Sequence, residues 1–221
     1  MPPKPRSSQA RRVPTTGRDR GPLVWAVGGV ALLLVGVVAW LLVGRADDAA
    51  AAADARAALE AAGCTLRESK ADKGVHSITT RDGTSKSWKT DPPTSGAHYP
   101  TPVVYGAYPT EVNQAQLVHN LEHGGIFIQY GRDVPDATLT ELRAFYERHT
   151  SGTVVAPYPS LGDRVALGAW VSKSASTPDD ATAYLATCRT FDQAAFEAFF
   201  EAFQFKGPER FPADSMLPGR T

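Results

Sequence analysis

Hydrophobic and polar positions divide the chain into regimes. Residues 1–22 carry almost no apolar side chain and are rich in Pro, Arg, Ser, Thr and Gly, so they cannot bury a core and are expected to form a disordered tail. The next 21 residues, Leu23 to Val43, contain no charge. At ~1.5 Å per residue a helix of that length spans roughly 30 Å of hydrocarbon, which predicts one transmembrane helix. Trp25 and Trp40 lie near its two ends, where indole rings favour the headgroup level. A cleaved signal peptide would show an apolar stretch of about 7–15 residues and a small-x-small exit, unlike Gly44-Arg45-Ala46-Asp47. Residues 44–63 are dominated by alanine and stop at Gly63, a helix terminator, and so predict a helical stalk. The thin polar side of this helix is equally compatible with packing on the domain that follows.

Residues 64–207 have the mixed patterning of a globular domain, and residues 208–221 read as a C-terminal tail. Two β-branched runs around Arg81-Asp82-Gly83 predict a hairpin over 75–90. Five prolines between Asp91 and Pro109 predict a loop held by fixed φ angles. Between Asn113 and Gly124 the signals are those of a short helix: Asn113 as N-cap, Gln116 to complete a capping box, and Gly124 past the end. Ile126 to Tyr130 reads as a buried strand, and Asp136 to His149 as an amphipathic helix with Leu139, Leu142, Phe145 and Tyr146 on one face. Thr153 to Ala156 and Val165 to Val171 read as two more strands. A last helix around Asp192 to Phe203 places Phe196, Phe199, Phe200 and Phe203 at core spacing. This order predicts an α+β domain, a small sheet with helices packed on one side, preceded by one N-terminal transmembrane helix.

The formal net charge of zero conceals an asymmetry. Lys4, Arg6, Arg11, Arg12, Arg18 and Arg20 precede the apolar run against a single Asp19, and only Arg45 follows closely. By the positive-inside rule the N-terminus is expected in the cytoplasm and the domain outside a cell membrane crossed once, with the lipid bilayer as partner. The folded part lacks a concentrated basic face, which argues against nucleic acid as a partner. Sequence names no protein partner.

Cys64 and Cys188 both fall on the exported side, and two lone cysteines in an oxidising compartment are most simply a disulfide. Neither belongs to a C-x-x-C pair. His119, Asn120, Leu121, Glu122 and His123 spell H-x-x-E-H, with the two histidines one helical turn apart. The Pro-rich loop carries His98 and is the candidate roof over that helix. Three imidazoles, His98, His119 and His123, with Glu122 as fourth ligand or as an orienter, match the nitrogen-and-oxygen donor sets of Zn or Cu ions. Surface or packing histidines are the plainer reading, and His76 and His149 carry no local signal. Met216 offers a thioether that copper accepts, although a lone tail methionine usually has no such role.

The segments DPPTSGAHYP, Tyr105-Gly106-Ala107-Tyr108 and LVHNLEHGGIFIQY, together with an N-terminal anchor, resemble the bacterial family of domain of unknown function 3105. The resemblance runs from about Ala62 to Gly207, with Ala97-His98 standing where such proteins commonly show Pro-His. It implies an extracytoplasmic domain with a shared site near His98, His119, Glu122 and His123, and it implies no particular reaction. H-x-x-E-H also looks like the inverted zinc-peptidase motif, in which Glu122 would be general base and Glu197 or Glu201 a third ligand. The short helix ending at Gly124-Gly125 departs from that pattern. Three functions follow, in order of preference: a noncatalytic metal-binding domain, a zinc hydrolase, and a structural or interaction domain without metal.

The charge asymmetry yields a topology test. Protease added to spheroplasts is expected to digest the domain and spare the N-terminal tail; a protected domain rejects the orientation.

Overall fold

The computed structural model describes residues 47–174, 177 and 179–221; the basic tail and the apolar run at 23–43 lie outside the described residues. Among the described residues no helix is long and apolar enough to cross a membrane. Helix α1 covers 47–61, followed by strand β1 (Thr65–Lys70) and the two-residue strand β2 (Gly106–Ala107). Next come α2 (Gln114–Glu122), β3 (Ile126–Tyr130), α3 (Asp136–Arg148), β4 (Thr153–Pro157), β5 (Val165–Ser172), β6 (Ala181–Cys188) and α4 (Gln193–Phe203). The six strands form one mixed sheet in the order β1-β6-β5-β3-β4-β2. Strands β2, β4 and β3 run parallel, and β3, β5, β6 and β1 are successively antiparallel.

The central strands are buried on both faces, which is why their sequences read as continuous apolar runs rather than alternations. Ile126 and Ile128 of β3 join a core with Leu59 of α1, Phe145 of α3 and the phenylalanines of α4. Phe127, between them, faces a second core with Leu117, Val118 and Leu121 of α2. Helices therefore cover both faces of the sheet, not one as the element order suggested. Alpha helix α1 packs on the first core through Ala55 and Leu59, both fully buried, and Asp48 pairs with Lys206 at 2.8 Å.

Three strands escaped the sequence pattern, one of them the two-residue β2 within the Pro-rich loop. Edge strand β1 is polar because most of it faces solvent, and β6 is rich in Ala and Thr because it lies between β1 and β5. The expected hairpin over 75–90 is absent. A turn does form at Gly83, whose N–H donates to Thr80, but Val75 forms an isolated parallel bridge with Ala97 of the Pro-rich loop. His98 N–H donates to Val75 O at 3.0 Å and Ile78 N–H to His98 O at 3.2 Å, so this segment pairs with the loop instead of with itself.

The C-terminal tail is held against the domain. Gly152 N–H donates to Met216 O at 2.7 Å, Tyr105 N–H to Arg220 O at 2.8 Å, and the Met216 side chain is buried in the second core. Its thioether serves packing there.

Cys64 and Cys188 are disulfide-bonded across a separation of 124 residues, tying the start of β1 to the end of β6. In the chain-entropy account such a loop contributes up to about 4–5 kcal/mol, with engineered cases delivering less. Denatured chain is expected to show no free thiol until reductant is added, and reduction to lower the thermal midpoint; two thiols titrating without reductant would reject the bridge.

Candidate metal centre

Helix α2 is short and polar, yet residues 115–122 are all buried. Its start forms as the sequence predicts, with Asn113 Oδ1 accepting from Gln116 N–H at 3.0 Å. Gln116 does not return the bond to complete a capping box; its Nε2 donates to Thr101 O at 3.1 Å instead. Asn120 binds the loop at both ends of its amide: Oδ1 accepts from Val103 N–H at 2.9 Å, and Nδ2 donates to Val103 O at 2.7 Å. Tyr99 N–H donates to Ala115 O at 3.0 Å. The Pro-rich loop is thereby fastened along the helix, and His98 arrives above it as expected.

One ligand atom from each of His76, His98, His119 and Glu122 lies within 4.8 Å of every other. His98 is fully buried, His119 and Glu122 nearly so, and His76 stands at the exposed edge. The tautomers follow from the backbone. His98 Nδ1 lies 2.7 Å from Gly96 O and His119 Nδ1 lies 2.9 Å from Tyr99 O. A carbonyl oxygen only accepts, so both Nδ1 atoms carry a proton and Nε2 is the atom each ring offers to a ligand.

His98 Nε2 faces Glu122 Oε2 at 3.0 Å, and neither atom has a hydrogen-bond partner of good geometry. A lone pair opposite a carboxylate oxygen is repulsive unless a cation, a proton or a metal ion, lies between them. Burial acts to raise the Glu122 pKa, but the adjacent His98, then His119 and His76, outweigh it and hold the carboxyl below the usual range. Glu122 is therefore an anion at neutral pH. Burial depresses His119, the Tyr99 carbonyl only partly opposing it, and burial with neighbouring His119 pushes His123 down to about 4. A buried anion attracts positive charge, because desolvation has stripped its compensation by water.

His123 does not join this group. It forms a second one with His119 and Glu209, its Nε2 lying 3.0 Å from His119 Nε2 and 3.7 Å from Glu209 Oε2. Glu197, the sequence candidate for a third ligand, pairs with His149 at 2.9 Å, and Phe145 and Phe200 line that histidine. Glu201 is exposed on α4 and belongs to neither group. His76 was missed because nothing within its own segment distinguishes it. Its signal is long-range: its neighbour Val75 bridges to Ala97, and its ring stacks on His119 at 4.9 Å between centroids.

Fold and site together define an α+β domain built round a buried His/Glu group that could hold a metal ion. The chain belongs to the family described as protein of unknown function (DUF3105), whose model matches residues 80–215. No curated protein and no solved structure matches it.

The neutral state of His123 has a measurable consequence in metal-free chain. Its folded pKa of about 4 lies below the ordinary 6.5, so between those values the unfolded chain binds the extra proton and stability falls as pH falls. Depressed His119 acts in the same direction. With chelator present, the thermal midpoint is expected to drop from about pH 6.5 towards 4, and His123→Gln to flatten that drop; equal slopes in both chains would reject the assignment.

Proposed function

We propose that this protein is a membrane-anchored, extracytoplasmic metal-binding domain holding one Zn or Cu ion at His76, His98, His119 and Glu122. The observation that carries the reading is the pair of Nδ1 atoms bonded to Gly96 O and Tyr99 O, which leaves Nε2 of each ring for an ion, with His98 Nε2 facing the Glu122 carboxylate at 3.0 Å. Backbone carbonyls behind ligating imidazoles are how proteins set the ligand tautomer and raise its basicity. Bonds of ~2.0–2.1 Å in a tetrahedron put neighbouring donors roughly 3.3 Å apart, and the 3.0 Å between His98 Nε2 and Glu122 Oε2 needs little adjustment to reach that. Three imidazoles and a carboxylate suit Zn or Cu better than Mg or Ca, which prefer oxygen.

The same donor count favours holding the ion over hydrolysis with it. A catalytic zinc keeps an open position beside about three protein ligands, whereas His76 supplies a fourth here. Glu122, next to His98, serves as ligand in this arrangement and not as the base of the inverted-peptidase reading.

Full-length chain purified without a histidine tag is expected to contain about one Zn or Cu ion by elemental analysis. His119→Ala abolishes binding and His98→Ala weakens it, with Glu122→Gln costing roughly 10–100-fold in affinity. Chain that takes up no ion from either metal rejects the reading. A Glu122→Gln chain that keeps its metal but loses a peptidase or esterase turnover establishes the hydrolase.

A further inference from the structure

The second histidine group extends the first outward. Glu122 ends α2 and His123 caps it, after which Gly124, at φ +93°, turns the chain into β3. The chain returns to this point some eighty residues later. Gly207 packs so closely that a Cβ there would lie 2.3 Å from Glu122 O and Gly124 N, and only glycine permits the approach. Glu209 N–H then donates to Glu122 O at 2.9 Å and Phe211 N–H to His123 O at 3.3 Å. These bonds complete the carbonyls left open at the helix end, and they set Glu209 beside His123. Phe211 stacks on the His123 ring at 4.0 Å, fixing its plane.

His123 Nε2 thus sits between His119 Nε2 at 3.0 Å and Glu209 Oε2 at 3.7 Å. Exposure falls along the series: the Glu209 side chain is 53 % exposed, while His123 and His119 are buried and His98 is fully so. His119 belongs to both groups but has one lone pair to offer, because its Nδ1 proton is committed to Tyr99 O. The inner and outer positions therefore cannot both hold an ion on His119 at once.

We propose that Glu209, His123 and His119 form an outer station that takes a borderline divalent cation from solution and passes it, with His119 as the shared ligand, to the inner group. This rests on the inner group being the resting metal site. In the step the cation keeps His119 and exchanges Glu209 and His123 for His98, Glu122 and His76, a ligand substitution in which no electron moves. The outer donors are one oxygen and two nitrogens, so the cargo is of the Zn²⁺, Cu²⁺ or Co²⁺ class rather than Ca²⁺. The rival route is direct entry at exposed His76, which leaves Glu209 without a part.

The test uses full-length chain and Co²⁺, whose visible absorption reports its ligands. Wild type is expected to bind one Co²⁺ in total. Glu209→Gln, a substitution at an exposed side chain, is expected to slow both uptake and extraction by a chelator by about tenfold, on the scale of losing a supporting carboxylate. Glu197→Gln, at the unrelated His149 pair, serves as control and keeps wild-type rates. His98→Ala is expected to hold Co²⁺ weakly with an altered spectrum, the ion resting at the outer station, and His98→Ala with Glu209→Gln to lose it. Wild type that binds no Co²⁺ or Zn²⁺ overturns the inner site itself. Wild type that binds one ion while Glu209→Gln moves neither rate overturns the outer station alone, and so does simultaneous binding of two ions.

Discussion

The burial of a polar helix is the constraint from which this structure follows. Gln116, His119, Asn120 and Glu122 are carried by α2 into an interior where an unpartnered polar atom costs roughly 1–3 kcal/mol or more. Solvent cannot supply the partners, so the chain must. The Pro-rich loop supplies Thr101 O, Val103 and Tyr99 O, and the segment after α4 supplies the N–H groups of Glu209 and Phe211. Fixed φ angles at five prolines lower the entropy lost when that loop is laid down in one conformation.

Once those partners are in place, the geometry of the histidines is largely determined. Asn120 locks the register of loop against helix, and the Gly96 and Tyr99 carbonyls then orient the two buried rings. Two of the buried side-chain atoms left without a hydrogen bond face each other here, His98 Nε2 and Glu122 Oε2 at 3.0 Å. Two such atoms held face to face are arranged for positive charge between them. The apolar face of α2 does the complementary task, with Leu117, Val118 and Leu121 closing the second core against Phe127 and Trp170.

Much of this was legible in the chain. The caps of α2 and α4 are local, each an Asn or Asp reaching a backbone N–H three residues on, and both occur where the residues indicate. The phenylalanine spacing of α4 and the apolar runs of β3, β4 and β5 express burial directly in residue type. His98, His119 and Glu122 were recognisable because the motif puts two of them on one turn and the prolines mark the third as fixed. The hairpin at 75–90 failed for the opposite reason: β-branched residues report extended backbone but not which strand will accept their hydrogen bonds.

By itself, therefore, the sequence determined the helix carrying H-x-x-E-H, the rigid loop bearing His98, the cysteine pair and the strands of the sheet's centre. These depend on spacing, capping and residue volume, which act over a few neighbours. Only the tertiary structure decided that His76 completes the inner group, that His123 turns instead towards Glu209, and that helices cover both faces of the sheet. Each of those outcomes joins segments tens of residues apart through backbone hydrogen bonds and close packing, such as Val75 to Ala97 and Gly207 to Glu122 O. Apart from Gly207, where the approach requires a residue without a side chain, such backbone contacts are available to almost any residue and leave no mark in the sequence of side chains.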